Sequence, residues 1–226
     1  MTSVRILYAL TPFSGPSGGI RVLFEHVSVL RAAGFDAYIF APKSSEISVK
    51  FNSDAPVLLG ADHDLRRSDI IVRPETSHAD GIAKIGTQLR QVLFVQNQFY
   101  LRHSLGTHPN FSKLGIERVI CASRGIQRFL AEYLSFPNAS FIPCVVSKHD
   151  GAPVTKNLAV AFMPRKRREE ALIIRHLVGL MRPDLARVPW IKIDAVSHKR
   201  GLEILAECSV FLSLQRFEGL GLPALE

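Results

Sequence analysis

Short unbroken apolar runs alternate with helical spacings along this chain. Val4–Ala9, Asp36–Phe40, Asp69–Val72, Gln91–Val95, Arg118–Ala122 and Ser140–Pro143 each read as a strand, with a weaker one at Val57–Leu59. Runs without polar alternation suit strands covered on both faces, as in a parallel sheet. Between the first two, Ile20, Leu23, Phe24, Val27 and Leu30 recur at helical spacing, and Gly34 stops the helix. Ser123 is placed to cap a second helix with the stripe Ile126, Phe129, Leu130 and Tyr133. Residues 42–68 are otherwise polar and irregular, and Cys144–Pro153 reads as a linker ending in turn residues. The pattern then restarts. Strands are expected at Leu158–Phe162, Trp190–Asp194 and Ser209–Ser213. A helix marked by Ile173, Leu177, Leu180 and Met181 ends at Pro183, and Ser197 caps a shorter one. This alternation predicts an α/β fold in two parts, residues 1–150 and 151–226.

Five stretches at predicted strand ends carry candidate chemistry. Gly18 and Gly19 follow the first strand, where adjacent glycines at a helix N-terminus can cradle an anion. With Gly15 they lack Gly-x-Gly-x-x-Gly spacing, which argues against a nicotinamide site. The alternative is a turn that needs glycine geometry alone. Gln96, Asn97 and Gln98 follow the strand 91–95, and three amides there suit a polar uncharged ligand. Glu75 and His78, in the loop after the strand 69–72, are placed to touch substrate; a lone loop histidine is more often just solvated. Arg165, Lys166, Arg167 and Arg168 fall between a strand and a helix N-terminus, where cations oppose the helix dipole. A bound diphosphate resolves that conflict; so, less fully, does a solvated edge neutralised by Glu169 and Glu170. Finally, Phe217–Glu226 reads as strand end, glycine turn and helix start, with Pro223 suited to the first turn. Its N–H groups suit phosphate or sugar oxygens, and Glu218 and Glu226 suit sugar hydroxyls. The plain alternative is an ordinary strand-to-helix turn with two surface glutamates.

Composition narrows the partners. The chain has 226 residues, 47% hydrophobic and 21% charged, an ordinary soluble composition. No apolar run reaches the length of a membrane span, and the start reads as a first strand, not a signal peptide. Cys121, Cys144 and Cys208 are scattered in apolar contexts and read as free thiols of a reducing compartment. The net charge of +8 favours anionic partners: nucleotides, anionic lipid or nucleic acid. Solubility is the bland explanation of the same charge. No aromatic–basic interleaving of the kind a single-strand binder uses is present.

The segment Glu218-Gly219-Leu220-Gly221-Leu222-Pro223-Ala224-Leu225-Glu226 resembles the Glu-x7-Glu signature of retaining glycosyltransferases of the GT-B fold, family four. Leu220 stands where that family usually has Phe. The resemblance implies two Rossmann-like domains facing a cleft. It implies transfer of a sugar from a nucleotide-sugar donor to a hydroxyl acceptor, with retention and with no essential metal or cofactor. Gly18, Gly19, Arg165, Lys166, Gly219, Leu220, Gly221, Leu222 and Glu226 would bind donor, and Glu218, Gln96 and Asn97 would form the catalytic set. Relatives often carry a histidine near Gln96 or Asn97; His103 lies further along, and some bacterial polysaccharide glycosyltransferases resemble the Gln-Asn form. Saccharide or glycolipid acceptors, polysaccharide synthesis and a cytoplasmic location follow from the same likeness. A peripheral contact with the anionic inner membrane face and a homodimer are compatible with it. In the family the second domain continues past this point. The second half is therefore expected to be incomplete, with Val210, Leu212 and Leu214 partly exposed and transfer by this chain slight or absent. The rival readings are a non-catalytic nucleotide-binding fragment or scaffold, a nucleotide-sugar epimerase of related fold, and, from charge alone, a nucleic-acid binder.

Overall fold

The computed structural model describes residues 4–10, 17–42, 53–60, 64–78, 88–105, 114–136, 138–144, 155–164, 167–214, 219 and 221–225. The chain divides into two compact units, Met1–Val145 and Val146–Glu226, against the 150/151 division expected from the sequence.

The first unit is built on a seven-stranded sheet in the order β3-β2-β1-β4-β5-β6-β7. Its strands are β1 (Arg5–Ala9), β2 (Asp36–Pro42), β3 (Val57–Gly60), β4 (Ile70–Pro74), β5 (Arg90–Val95), β6 (Ile116–Cys121) and β7 (Ser140–Phe141). Every pairing is parallel, with Leu7 opposite Tyr38 on one side and Ile71 on the other. The central strands carry the core, with Leu7, Ile39, Ile71, Leu93 and Phe94 fully buried. That is why their sequences are unbroken apolar runs.

Helix α1 (Gly18–Ala32) starts at Ser17, whose Oγ accepts the Ile20 N–H at 3.3 Å. It buries Val22, Leu23, Phe24, His26 and Val27. It stops at Gly34, which takes φ 86°. The Gly34 N–H donates to Arg31 O and the Phe35 N–H to Leu30 O, closing a Schellman turn. A short helix α2 (Leu101–Leu105) follows β5. Helix α3 (Arg124–Leu134) is capped by Ser123 and buries Ile126 and Leu130. The expected stripe is narrower than its spacing suggests: Tyr133, 71% exposed, stacks on Phe129 at 5.1 Å and not on the sheet.

At the amino ends of the strands, Arg5 Nε and Nη2 donate to Asp69 Oδ1 and Oδ2 at 2.9 and 2.6 Å. The Arg66 N–H adds a third bond to the same carboxylate at 2.7 Å. Burial pushes the Asp69 pKa up, but the Arg5 guanidinium and the Arg66 N–H together hold it below the usual carboxylate value. This forked pair ties β1 to the chain entering β4 at the far end of the sheet from the loops considered below.

The second unit has a three-stranded parallel sheet in the order β10-β8-β9, from β8 (Asn157–Phe162), β9 (Trp190–Lys192) and β10 (Cys208–Leu212). Helix α4 (Arg168–Met181) follows β8 and helix α5 (His198–Glu207), capped by Ser197, precedes β10. The core is small: Ala159, Ala161, Ile193, Ile204 and Cys208. The apolar stripe of α4 does not enter it. Only Ala171 of that helix is buried, while Leu172, Ile173, Leu177, Leu180 and Met181 are exposed. Spacing put those residues on one face; it did not say what covers that face. Val210 is exposed, and Leu212 and Leu214 are half-buried, as expected from the sequence. Among the described residues no helix is long and apolar enough to cross a membrane.

Candidate active site

In an open parallel sheet, ligands bind beyond the carboxyl ends of the strands, where the strand order reverses. In the first unit that place lies between β1 and β4. The chain leaves β1 toward β2 on one side, whereas β4 continues to β5 on the other. The turns after β4 and β5 and the first turn of α1 meet there through side chains.

Glu75 is the first residue after β4 and is 4% exposed. Its N–H donates to Phe94 O at 3.1 Å, and its carbonyl accepts the Ser104 hydroxyl at 2.7 Å. Its Oε2 accepts the Gln96 N–H at 3.2 Å. Gln96, first after β5, in turn donates from Nε2 to Gly19 O at 3.0 Å. Burial pushes the Glu75 carboxyl up to about 7, against the opposing pull of the N–H groups of Gln96 and Asn97. Asn97 is buried, and its Oδ1 accepts the Phe99 N–H at 3.1 Å, capping a single 3-10 turn at Gln98–Tyr100. Ser77, also buried, has an Oγ without a partner among the described residues.

Gly18 and Gly19 are the first two residues of α1 and not part of a free loop. A Cβ on Gly19 would meet the Gln96 amide at 3.5 Å, an ordinary contact, and its φ lies outside the left-handed region. Turn geometry therefore does not demand glycine at 19. Behind this helix end, His26 stacks on Phe94 with centroids 4.9 Å apart, and the Tyr8 hydroxyl lies 3.3 Å from its Nδ1. Its Nε2 is buried without a partner among the described residues, and burial lowers its pKa. No sequence pattern singles out His26, which falls within the apolar spacing of α1. Glu75 was visible as a loop acid, but its burial was not.

In the second unit, Phe162 of β8 pairs with Leu212 of β10, so the chain leaves both strands at the same level of the sheet. The segments carrying the basic cluster and the Glu-x7-Glu motif thus start side by side. Arg165, Lys166, Glu218, Leu220 and Glu226 lie outside the described residues. Gly219 sits in a bend, and Gly221 takes φ 73°, a conformation only glycine adopts without strain. Gly221 O accepts the Ala224 N–H at 3.0 Å as helix α6 (Leu222–Leu225) begins, with Pro223 in its first turn. Arg167 precedes α4, and its Nη1 donates to Glu170 Oε2 at 2.6 Å. That member of the basic cluster is neutralised locally, as the solvated-edge alternative had it.

No protein-family model matches the chain. Over 216 residues, 93% of the chain, it is 26% identical to a curated alpha-1,6-glucosyltransferase of Actinobacillus pleuropneumoniae serotype 7, strain AP76. The chain spans 66% of that relative's length. A glycosyltransferase from Rickettsia africae ESF-5 of known structure superposes with a TM-score of 0.61 at 11% identity, over 94% of this chain and 73% of that one. The chain therefore has the α/β fold of a structurally characterised glycosyltransferase and a sequence similar to a curated glucosyltransferase.

Proposed function

We propose that the chain is a glycosyltransferase of the retaining GT-B type, family four, that moves a sugar from a nucleotide-sugar donor to a hydroxyl of a saccharide or glycolipid. The observation that carries this reading is the sequence likeness to the curated glucosyltransferase along 93% of the chain. The relative's name makes glucose the first donor sugar to test. In the second unit, Arg165 and Lys166 hold the donor diphosphate and stabilise the charge that develops on it as the glycosidic bond breaks. The turn Gly219-Leu220-Gly221-Leu222 offers N–H groups to the sugar and phosphate, Glu218 holds sugar hydroxyls, and Glu226 holds the ribose. The left-handed Gly221 supports such a turn, because a tight bend without a side chain leads directly into the start of α6.

In the first unit, Gly18 and Gly19 present the positive end of α1 to the donor. Gln96 offers its amide oxygen to a sugar hydroxyl while its nitrogen stays on Gly19 O. Asn97 acts mainly by shaping the turn, since its own oxygen is taken by the Phe99 N–H.

The test is calorimetric titration of the full chain with a panel of nucleoside diphosphates, followed by transfer assays with the matching nucleotide-glucose and proton NMR of the product anomer. Selective binding of one base with retained configuration supports the reading. Binding of none, an inverted product, or a steep salt slope with oligonucleotides in place of diphosphate binding overturns it.

A further inference from the structure

Three turns of the first unit are tied together by a chain of contacts that starts at Glu75 and passes through Gln96. The main chain of Glu75 is fixed from both sides, by Phe94 O and by the Ser104 hydroxyl. Its side chain is thereby directed at the turn after β5, where Oε2 accepts the Gln96 N–H. Gln96 then reaches across to Gly19 O at the start of α1. The resulting chain of contacts runs from the β4 turn to the β5 turn to the first turn of α1.

A buried carboxylate is a costly way to satisfy a peptide N–H group. A serine or a water would do so at less cost, but neither would span the gap with fixed geometry. We propose that Glu75 is a positioning residue: it sets the Gln96 peptide, and through the Gln96 side chain it sets the Gly18–Gly19 end of α1 against the donor. This deepens the glycosyltransferase reading and rests on it for its link to catalysis, but the positioning itself can be read without turnover.

The experiment compares the full chain with Glu75→Ala, Glu75→Gln and Gln96→Leu. Hydrogen exchange is followed at the Ile20 and Arg21 amides, which bond Ser17 Oγ and Ser17 O and report the end of α1. Glu75→Ala and Gln96→Leu should each speed exchange there roughly two- to tenfold, the worth of one hydrogen bond. Glu75→Gln keeps an acceptor for the Gln96 N–H and should exchange like the parent. In kinetics with a nucleotide-sugar, Glu75→Ala and Gln96→Leu should raise KM for the donor more than they lower kcat, and Glu75→Gln should restore both. Should Glu75→Ala fail to fold, Gln96→Leu alone decides the positioning. Unchanged exchange at Ile20 and Arg21 in Gln96→Leu, or equal damage from Glu75→Ala and Glu75→Gln, overturns the proposal. If the exchange pattern holds while the parent binds no nucleotide-sugar, the positioning stands and the glycosyltransferase reading falls.

Discussion

Glu75 also makes a thermodynamic prediction that involves no substrate. Its carboxyl titrates near 7 in the fold instead of at an ordinary 4.5, because burial disfavours the charged form. A group whose folded pKa is raised contributes its full stability below the unfolded value and loses it as pH rises through the folded one. From 4.5 to about 7, at about 1.4 kcal/mol per pH unit, ionisation of Glu75 costs the first unit ~3 kcal/mol at alkaline pH. Most of that loss, about 2–3 kcal/mol, falls between pH 5 and pH 8. Glu75→Gln is isosteric, keeps an acceptor for the Gln96 N–H and cannot ionise. Its stability relative to the parent should therefore climb by about 2–3 kcal/mol from pH 5 to pH 8. Other titrating groups cancel in that difference, because both proteins carry them. Scanning calorimetry at the two pH values should show the gap in melting temperature widening by roughly 5–10 °C in favour of the variant. A gap that stays constant across this range would refute both the burial of the carboxylate and the geometry drawn from it.

Three other outcomes are expected. Asp69→Ala strands the Arg5 guanidinium in the sheet and should cost ~3–5 kcal/mol in urea unfolding, while Arg5→Met with Asp69→Leu should recover most of it; equal losses in the single and double variants would contradict this. His26 has a lowered pKa from burial, so it contributes stability above its ordinary value that is lost as pH falls below it. Relative to the parent, His26→Phe should gain stability as pH falls from 7 to 5, and a difference that stays constant would count against a buried neutral imidazole. Gly221→Ala forces a Cβ into φ 73° and should destabilise the second unit by ~1–2 kcal/mol, read from the lone tryptophan, Trp190, whereas Gly19→Ala should be neutral or slightly stabilising.

The strands and capped helices could be read from the sequence because each is specified locally. An unbroken run such as Gln91–Val95 has few alternatives to a doubly covered strand, and Ser123 caps α3 through a contact three residues away. What local patterns could not give was the partner of each face. Ile173, Leu177, Leu180 and Met181 share a side of α4 as their spacing requires, yet that side is exposed. The same limit governed the site. Gly19, Glu75 and Gln96 each stood out as residues at strand ends, but Gln96 bonds a carbonyl 77 positions away. That pairing depends on the sheet order, in which β4 sits beside β1 although two strands separate them in sequence. Burial of Glu75 follows from the same order, and only burial turns an ordinary loop acid into one that titrates near neutrality.

The central claim, that a nucleotide-sugar is the donor, meets its most direct test in nucleoside diphosphate binding by the full chain and by Arg165→Ala/Lys166→Ala. The account predicts saturable, base-selective binding to the parent. It predicts at least about a hundredfold weaker binding to the variant, from two charge-assisted hydrogen bonds of roughly 1.5–3 kcal/mol each. No heat with any nucleoside diphosphate, or equal affinity in the two proteins, would contradict it.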